Sequence, residues 1–315
     1  MKAILKRVGG GRILLRLRRA LDFGFRVELG TALAMLRYLK VVRTLPPLSA
    51  DAGQLDCFML LNQPRLWEGI WSLYSFRNFF GACRLVVLND GSLKPESLEI
   101  IKAIFPGVSI PDVKANDREI DAYLASRGLE RCRQWRQRFV FFRKLIDPSC
   151  LSVSDRMILL DSDCLHFRVP AEVKAWADGG ADLRYIADLN QYSLCAPPEV
   201  LEEICGAPVP AYFCAGYQCV PKVAVDLDRI ERYLSAECFE SQLSSGRFSH
   251  VAEQSLYAML GASFGANVLP NTYATCPDPN DGVSVMGHFC GGTFRRTWFY
   301  TKGLPFAATA IGSSV

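Results

Sequence analysis

Two absences narrow the class of this 315-residue chain. Its 12 cysteines include no CxxC pair and show no regular spacing, so neither a zinc knuckle nor a disulfide framework is expected. Scattered singly, they read as small core residues in a reducing compartment. Nor is there an apolar run long enough to span a bilayer. The N-terminal apolar stretches are cut by arginines, with Arg16, Arg18 and Arg19 interrupting any signal-peptide core. Residues 254–277 lack charge but contain Gln254, Gly265, Asn267, Pro270 and Asn271, and read as a buried helix, strand and loop. The expectation is a cytoplasmic protein held on a membrane surface. No internal repeat is visible.

Acids are scarce at one end only. Residues 1–45 hold eleven Lys/Arg against Asp22 and Glu28, a balance of +9, so the remaining residues carry −5 of the chain's net +4. A basic arm on a mildly acidic body calls for an anionic partner. A membrane surface is the first choice and nucleic acid the second; with no RNA-binding signature or stacking aromatics in the arm, nucleic acid is not expected. Leu14, Leu17, Leu21 and Phe25 share a helical face, which serves equally a helix packed on the body and an interfacial anchor. The chain therefore divides into a basic helical extension, residues 1–50, and a main domain, residues 51–315.

With half its residues apolar, the body has enough material for a full core. Strands are expected at Asp56–Leu61, Arg84–Asn89, Val108–Ile110, Met157–Leu160, Arg184–Ala187 and Phe213–Val220. Helices fall between them: one bearing Trp67, Ile70, Trp71 and Tyr74 on a single face, then Pro95–Phe105, 116–127, 131–145, Leu227–Leu234 and Val251–Leu260. The tail from Gly287 is rich in glycine and aromatics. Alternation at this pace predicts an α/β fold with a mostly parallel central sheet flanked by helices.

The chemistry gathers at MILLDSDCLHF, residues 157–167. A buried strand runs straight into Asp161-Ser162-Asp163, which puts two carboxylates on one face where the sheet ends. Two hard oxygen donors there suit Mn²⁺ or Mg²⁺. Such a cation would neutralise a leaving diphosphate. An acid pair alone also fits a solvated turn; the core strand ahead of it favours the functional reading.

Four segments in this order resemble the glycosyltransferase-A fold, in particular its glycogenin- and galactosyltransferase-like retaining family: RLVVLNDGS at 84–92, the Asp161-Ser162-Asp163 strand, AYFCAGYQCVP at 211–221 and GHFCGG at 287–292. AEQSLYAML at 252–260 is a further match. The resemblance covers roughly residues 55–300. It implies a nucleotide-sugar donor, UDP by family habit, and a saccharide or lipid-linked acceptor. Asp161 and Asp163 would hold the metal, with Asp161 near the donor ribose, and His288 would be the third ligand. Of the other two histidines, His166 reads as structural and His250 as a helix start.

The remaining roles are also what the resemblance implies. Asn62, Gln63, Asn89 and Asp90 would line the nucleoside pocket, though polar turn residues would stand there anyway. Lys144, with Arg138 and Arg143 as rivals, and Arg296, with Arg295 as rival, would face the diphosphate. Ala215-Gly216 would let backbone approach the donor sugar, and Asp188 and Asn190 would bond its hydroxyls. Glu253-Gln254 would lie beside the anomeric carbon, where the family has Asp-Gln; Cys214 departs from the family's Asn or Asp. In a retaining transfer no strong nucleophile is needed, whereas an inverting one calls for Asp188 or Glu253 as base. Two rivals remain: a sugar nucleotidyltransferase, whose phosphate loop Gly9-Gly10-Gly11-Arg12 mimics without a buried strand ahead of it, and a non-catalytic binding protein on a degenerate transferase body.

Overall fold

Every strand of the central sheet is a short apolar run whose alternate residues point to opposite faces. In the computed structural model, which describes residues 24–312 apart from 51, 52, 54, 192, 246–248, 291 and 292, Cys57, Met59 and Leu61 of β1 (Asp56–Leu61) enter one apolar cluster and Phe58 the other. In β3 (Arg156–Leu160), Ile158 and Leu160 join the first cluster, Met157 and Leu159 the second. The fold is α/β, with the sheet between two cores and helices on both faces.

The sheet has six strands in the order β2-β1-β3-β6-β5-β7. Here β2 is Arg84–Asn89, β5 Leu183–Ala187, β6 Phe213–Pro221 and β7 Ala266–Val268. β6 alone is antiparallel to its neighbours β3 and β5; the β1–β2, β1–β3 and β5–β7 pairs are parallel. A smaller sheet holds β4 (Cys164–His166), β9 (Met286–His288) and β8 (Tyr273–Thr275), with β4 and β9 antiparallel.

Two expectations need correction. Val108–Ile110 is no strand: Ser109 makes one bridge to Val86, and Pro111, which has no N–H, ends the pairing. The helix expected over 131–145 is two, Glu130–Arg138 and Phe141–Leu151, because Phe139 between them is extended. That break lets Arg136 reach the buried Asp147 at 2.6 Å and packs Trp135 against Phe142. The glycine- and aromatic-rich tail also forms helices, at Thr293–Trp298 and Leu304–Ala310.

The helix Phe25–Val42 packs on the body through Thr31, Tyr38 and Val42, with Tyr38 edge-on to Trp71 at 6.0 Å. Leu14, Leu17, Leu21 and Gly9–Gly11 lie outside the described residues. Among those described, no helix is long and apolar enough to cross a membrane.

Candidate active site

Strand β3 is held between β1 and β6, and this fixes where Asp161 leaves the sheet. The Asp161 N–H donates to the Gly216 carbonyl at 2.8 Å, and the Asp161 carbonyl accepts from the Ser72 hydroxyl at 2.9 Å. Cys164 N closes the Asp-Ser-Asp turn on the Asp161 carbonyl, and the chain enters β4. The β4–β9 register sets Cys164 opposite His288, and Phe289 N bonds the Asp163 carbonyl at 2.9 Å. Residues 125 positions apart thus share one corner for purely backbone reasons.

His288 Nε2 lies 3.2 Å from Asp163 Oδ1 and 3.8 Å from Asp161 Oδ2. The three potential ligand atoms fall within 4.8 Å of one another. His288 is 3 % exposed, yet its Nε2 has no well-formed hydrogen bond. A buried imidazole nitrogen left without one beside two carboxylates is costly unless something else meets it. Two oxygens and one nitrogen on an open cavity suit a divalent cation that keeps positions for a second ligand. Burial opposes ionisation of Asp163, but the imidazole and then Arg65 outweigh it and hold the acid at about 2. On the other ring edge, Nδ1 meets Cys214 Sγ at 3.3 Å.

This corner opens into a cavity of about 590 Å³, lined among others by Lys144, Asp161, Asp188, Gly216, Glu253 and His288. Lys144 is buried, and its ammonium donates to Asp161 Oδ1 and to the Ala215 carbonyl, each at 2.6 Å. Glu253 Oε1 is 3.8 Å from it. Burial alone would lower the lysine; Asp161 and Glu253 reverse that and raise it. Burial pushes Glu253 up to about 7 despite Lys144. Gln254 accepts from Ala215 N at 3.1 Å and donates to the Ser193 carbonyl at 2.8 Å, pinning the β6 bend to the opposite wall. Asp188 reaches the wall at the end of β5 and accepts from Asn190 N.

Other candidates lie elsewhere or are engaged differently. Asn62 caps the turn after β1 by accepting from Arg65 N. Gln63 Oε1 accepts from Lys94 N and Ser97 Oγ, and Asp90 Oδ1 from Ser92 N; none of the three lines the cavity. Ser162 is half-buried between the two acids. The Arg296 guanidinium is paired with the buried carboxylate of Glu68 at 2.5 Å, so its charge is already met by protein. Of Lys144's rivals, Arg143 pairs with Asp117 and Arg138 lies over Phe139. A Cβ on Gly216 would meet the His288 ring, while Ala215 and Gly216 line the cavity. His166 is buried against Phe76 and Tyr217, and burial takes its imidazole down to about 3, in keeping with a structural role. The side chains of His250 and Arg295 lie outside the described residues. Sequence reasoning missed Arg65, Ser72 and the contact of Cys214 with His288. Only Arg65 carries a signal, as the first basic residue after the first core strand.

No protein-family model and no curated protein sequence matches the chain. Solved structures similar to it are glycosyltransferases. Mouse xyloside xylosyltransferase 1 is 14% identical, with a TM-score of 0.48, over 77% of this chain and 98% of that one. The galactosyltransferase LgtC, solved with donor and acceptor sugar analogues, is 13% identical, with a TM-score of 0.47, over 81% and 95%. The mannosyltransferase Ktr4p of S. cerevisiae is 12% identical, with a TM-score of 0.47, over 76% and 77%.

Proposed function

We propose that this protein is a metal-dependent glycosyltransferase that moves a sugar from a nucleoside-diphosphate sugar, with UDP the expected carrier, to a hydroxyl of a saccharide or lipid-linked acceptor. The observation that supports it most is the meeting of Asp161, Asp163 and the buried Nε2 of His288, with Asp161 and His288 lining the cavity. Mn²⁺ or Mg²⁺ held by those three residues would supply positive charge to a departing diphosphate. The basic arm of residues 1–45 is proposed to face an anionic membrane surface.

The protein's own groups divide the remaining work. Lys144 orients Asp161, so one carboxylate oxygen is committed to the ammonium and the other is turned toward His288. Gln254 holds the Ala215-Gly216 backbone in place, and Asp188 offers a carboxylate oxygen to sugar hydroxyls across the cavity. In the retaining reading no covalent nucleophile is required, and Glu253 and Gln254 are the polar groups nearest the developing positive charge on the sugar. An inverting transfer would give Glu253 or Asp188 the acceptor's proton.

The decisive test is binding. UDP with Mn²⁺ should raise the melting temperature of the wild type by ligand linkage and leave Asp163→Ala unmoved. If no nucleoside diphosphate shifts the wild type with Mn²⁺ or Mg²⁺ present, the proposal fails. Screening nucleotide sugars for slow hydrolysis would then identify the donor, because breakdown needs no acceptor. The anomeric configuration of the product decides between retention and inversion.

A further inference from the structure

The helix Phe25–Val42 turns one face to the body and leaves an apolar face uncovered. Phe25, Leu29, Leu33 and Leu36 are 71 %, 47 %, 58 % and 59 % exposed. At 3.6 residues per turn they fall within about 80° of arc, so they form one stripe rather than scattered side chains. Arg26 and Arg37 share the next row around the helix, about 100–120° from Phe25 on the same count, and both are exposed. Lys40 and Arg43, both exposed, fall at about 60° and 0° on the same count and close the stripe with cations at its C-terminal end. Apolar stripes of this size on soluble surfaces mark interaction sites, and an apolar face bordered by cations is the pattern of a helix lying in a lipid interface.

Beside the stripe the surface opens into an apolar cavity of about 260 Å³ between this helix and the helix Leu66–Phe80. Met35, Leu36, Leu39, Trp67, Trp71 and Tyr300 line it. Leu36 belongs to both stripe and cavity, so the two surfaces are continuous. The Arg43 guanidinium stands 5.8 Å from the Trp67 ring centre, which puts a cation at the groove itself. Greasy walls, an entrance on the stripe and a cation alongside fit a hydrocarbon chain with an anionic head. The charge of the whole segment agrees, with eleven basic residues against two acidic ones over residues 1–45.

We infer that this groove takes one hydrocarbon chain of an anionic bilayer phospholipid, with Phe25, Leu29, Leu33 and Leu36 seated in the surrounding interface. The inference rests on the membrane side of the proposed function and gives it a place on the fold. The groove and the candidate site are joined through one helix, because the groove's floor, Trp71, adjoins Ser72, which bonds the Asp161 carbonyl.

The test uses the full chain and vesicles of phosphatidylcholine, with or without phosphatidylglycerol. Wild type should sediment with the phosphatidylglycerol vesicles and stay in solution with phosphatidylcholine alone. The double variant Leu29→Glu/Leu33→Glu should lose at least tenfold in vesicle affinity while keeping its melting-temperature response to UDP and Mn²⁺, which shows that it is folded. Phosphatidylglycerol brominated on its acyl chains should quench the tryptophan fluorescence of wild type, and Trp67→Phe should lose a large part of that quenching. Sedimentation of the double variant equal to wild type overturns the stripe. Binding without any quenching, or quenching untouched by Trp67→Phe, overturns the groove. Failure of the nucleotide response in wild type would instead strike the transferase reading and leave the vesicle result standing.

Discussion

The imidazole of His288 fills the space that a side chain at residue 216 would need. A Cβ built on Gly216 overlaps Cε1, Nδ1 and Nε2 of the ring. Glycine is therefore required on β6 so that a residue from β9 can swing across the sheet's end toward Asp161 and Asp163. Gly216→Ala should push the ring away from both acids. The expected result is a loss of Mn²⁺ affinity of tenfold or more by isothermal titration, with little change in the far-ultraviolet circular dichroism. Unchanged Mn²⁺ affinity would mean that the imidazole takes no part in holding the ion.

Lys144 is itself almost without solvent between two acids, so its removal takes the ion-pair partner from Asp161 and from the buried Glu253. Lys144→Met should cost about 2 kcal/mol of stability, less than the penalty for stranding a fully buried charge, because Asp161 is 35 % exposed and Glu253 can take up a proton. Added Mn²⁺ should recover part of that loss, because a cation on Asp161 replaces the missing charge. Chemical denaturation with and without the ion measures both effects. A variant as stable as wild type would show that Lys144 carries no such burden.

Glu253 gives the metal-free protein a predictable dependence on pH. Its carboxyl is raised from 4.5 to about 7 by burial, so the folded state binds its proton more tightly than the unfolded one. Stability from this group is full below pH 4.5 and is lost as pH rises toward 7. The size is on the order of 3 kcal/mol, because a tenfold change in proton affinity is worth about 1.4 kcal/mol. Glu253→Gln, which cannot ionise, should flatten the stability curve across that interval. A variant whose curve stays parallel to that of wild type would place the proton elsewhere.

Arg296 is predicted to matter through Glu68. The carboxylate is 1 % exposed and pairs with Arg296 at 2.5 Å. Arg296→Ala should destabilise by about 2 kcal/mol, because the buried carboxylate of Glu68 loses its close partner and keeps only Arg65 at 3.9 Å. Adding Glu68→Gln should return much of that loss, a coupling that a double-mutant cycle reads directly. A full loss of UDP affinity in Arg296→Ala, with stability unchanged, would give the arginine to the diphosphate instead.

The acid turn was legible because it is local: a strand of core residues ending in two carboxylates is written in eleven consecutive letters, as are β1 and β2, whose ends match their apolar runs. Where the reading slipped, the cause was competition at a distance. Phe139 breaks a helix that periodicity favours, because Arg136 gains a buried partner in Asp147 from the next turn of chain. Lys144 was legible as a cation facing the cleft, which it lines, but no window of sequence shows its two acid partners, Asp161 and Glu253.

The chain's letters alone determined the core strands β1, β2, β3, β5 and β6, the Asp-x-Asp turn at the end of one of them and the basic excess of the first 45 residues. These follow from side-chain polarity and from spacing along one segment. Only the tertiary structure decided that His288 meets Asp163, that Arg296 serves Glu68, and that Leu29 and Leu33 remain uncovered. Each of those facts depends on which surfaces the sheet order brings together, and that order is set by the packing of the whole core.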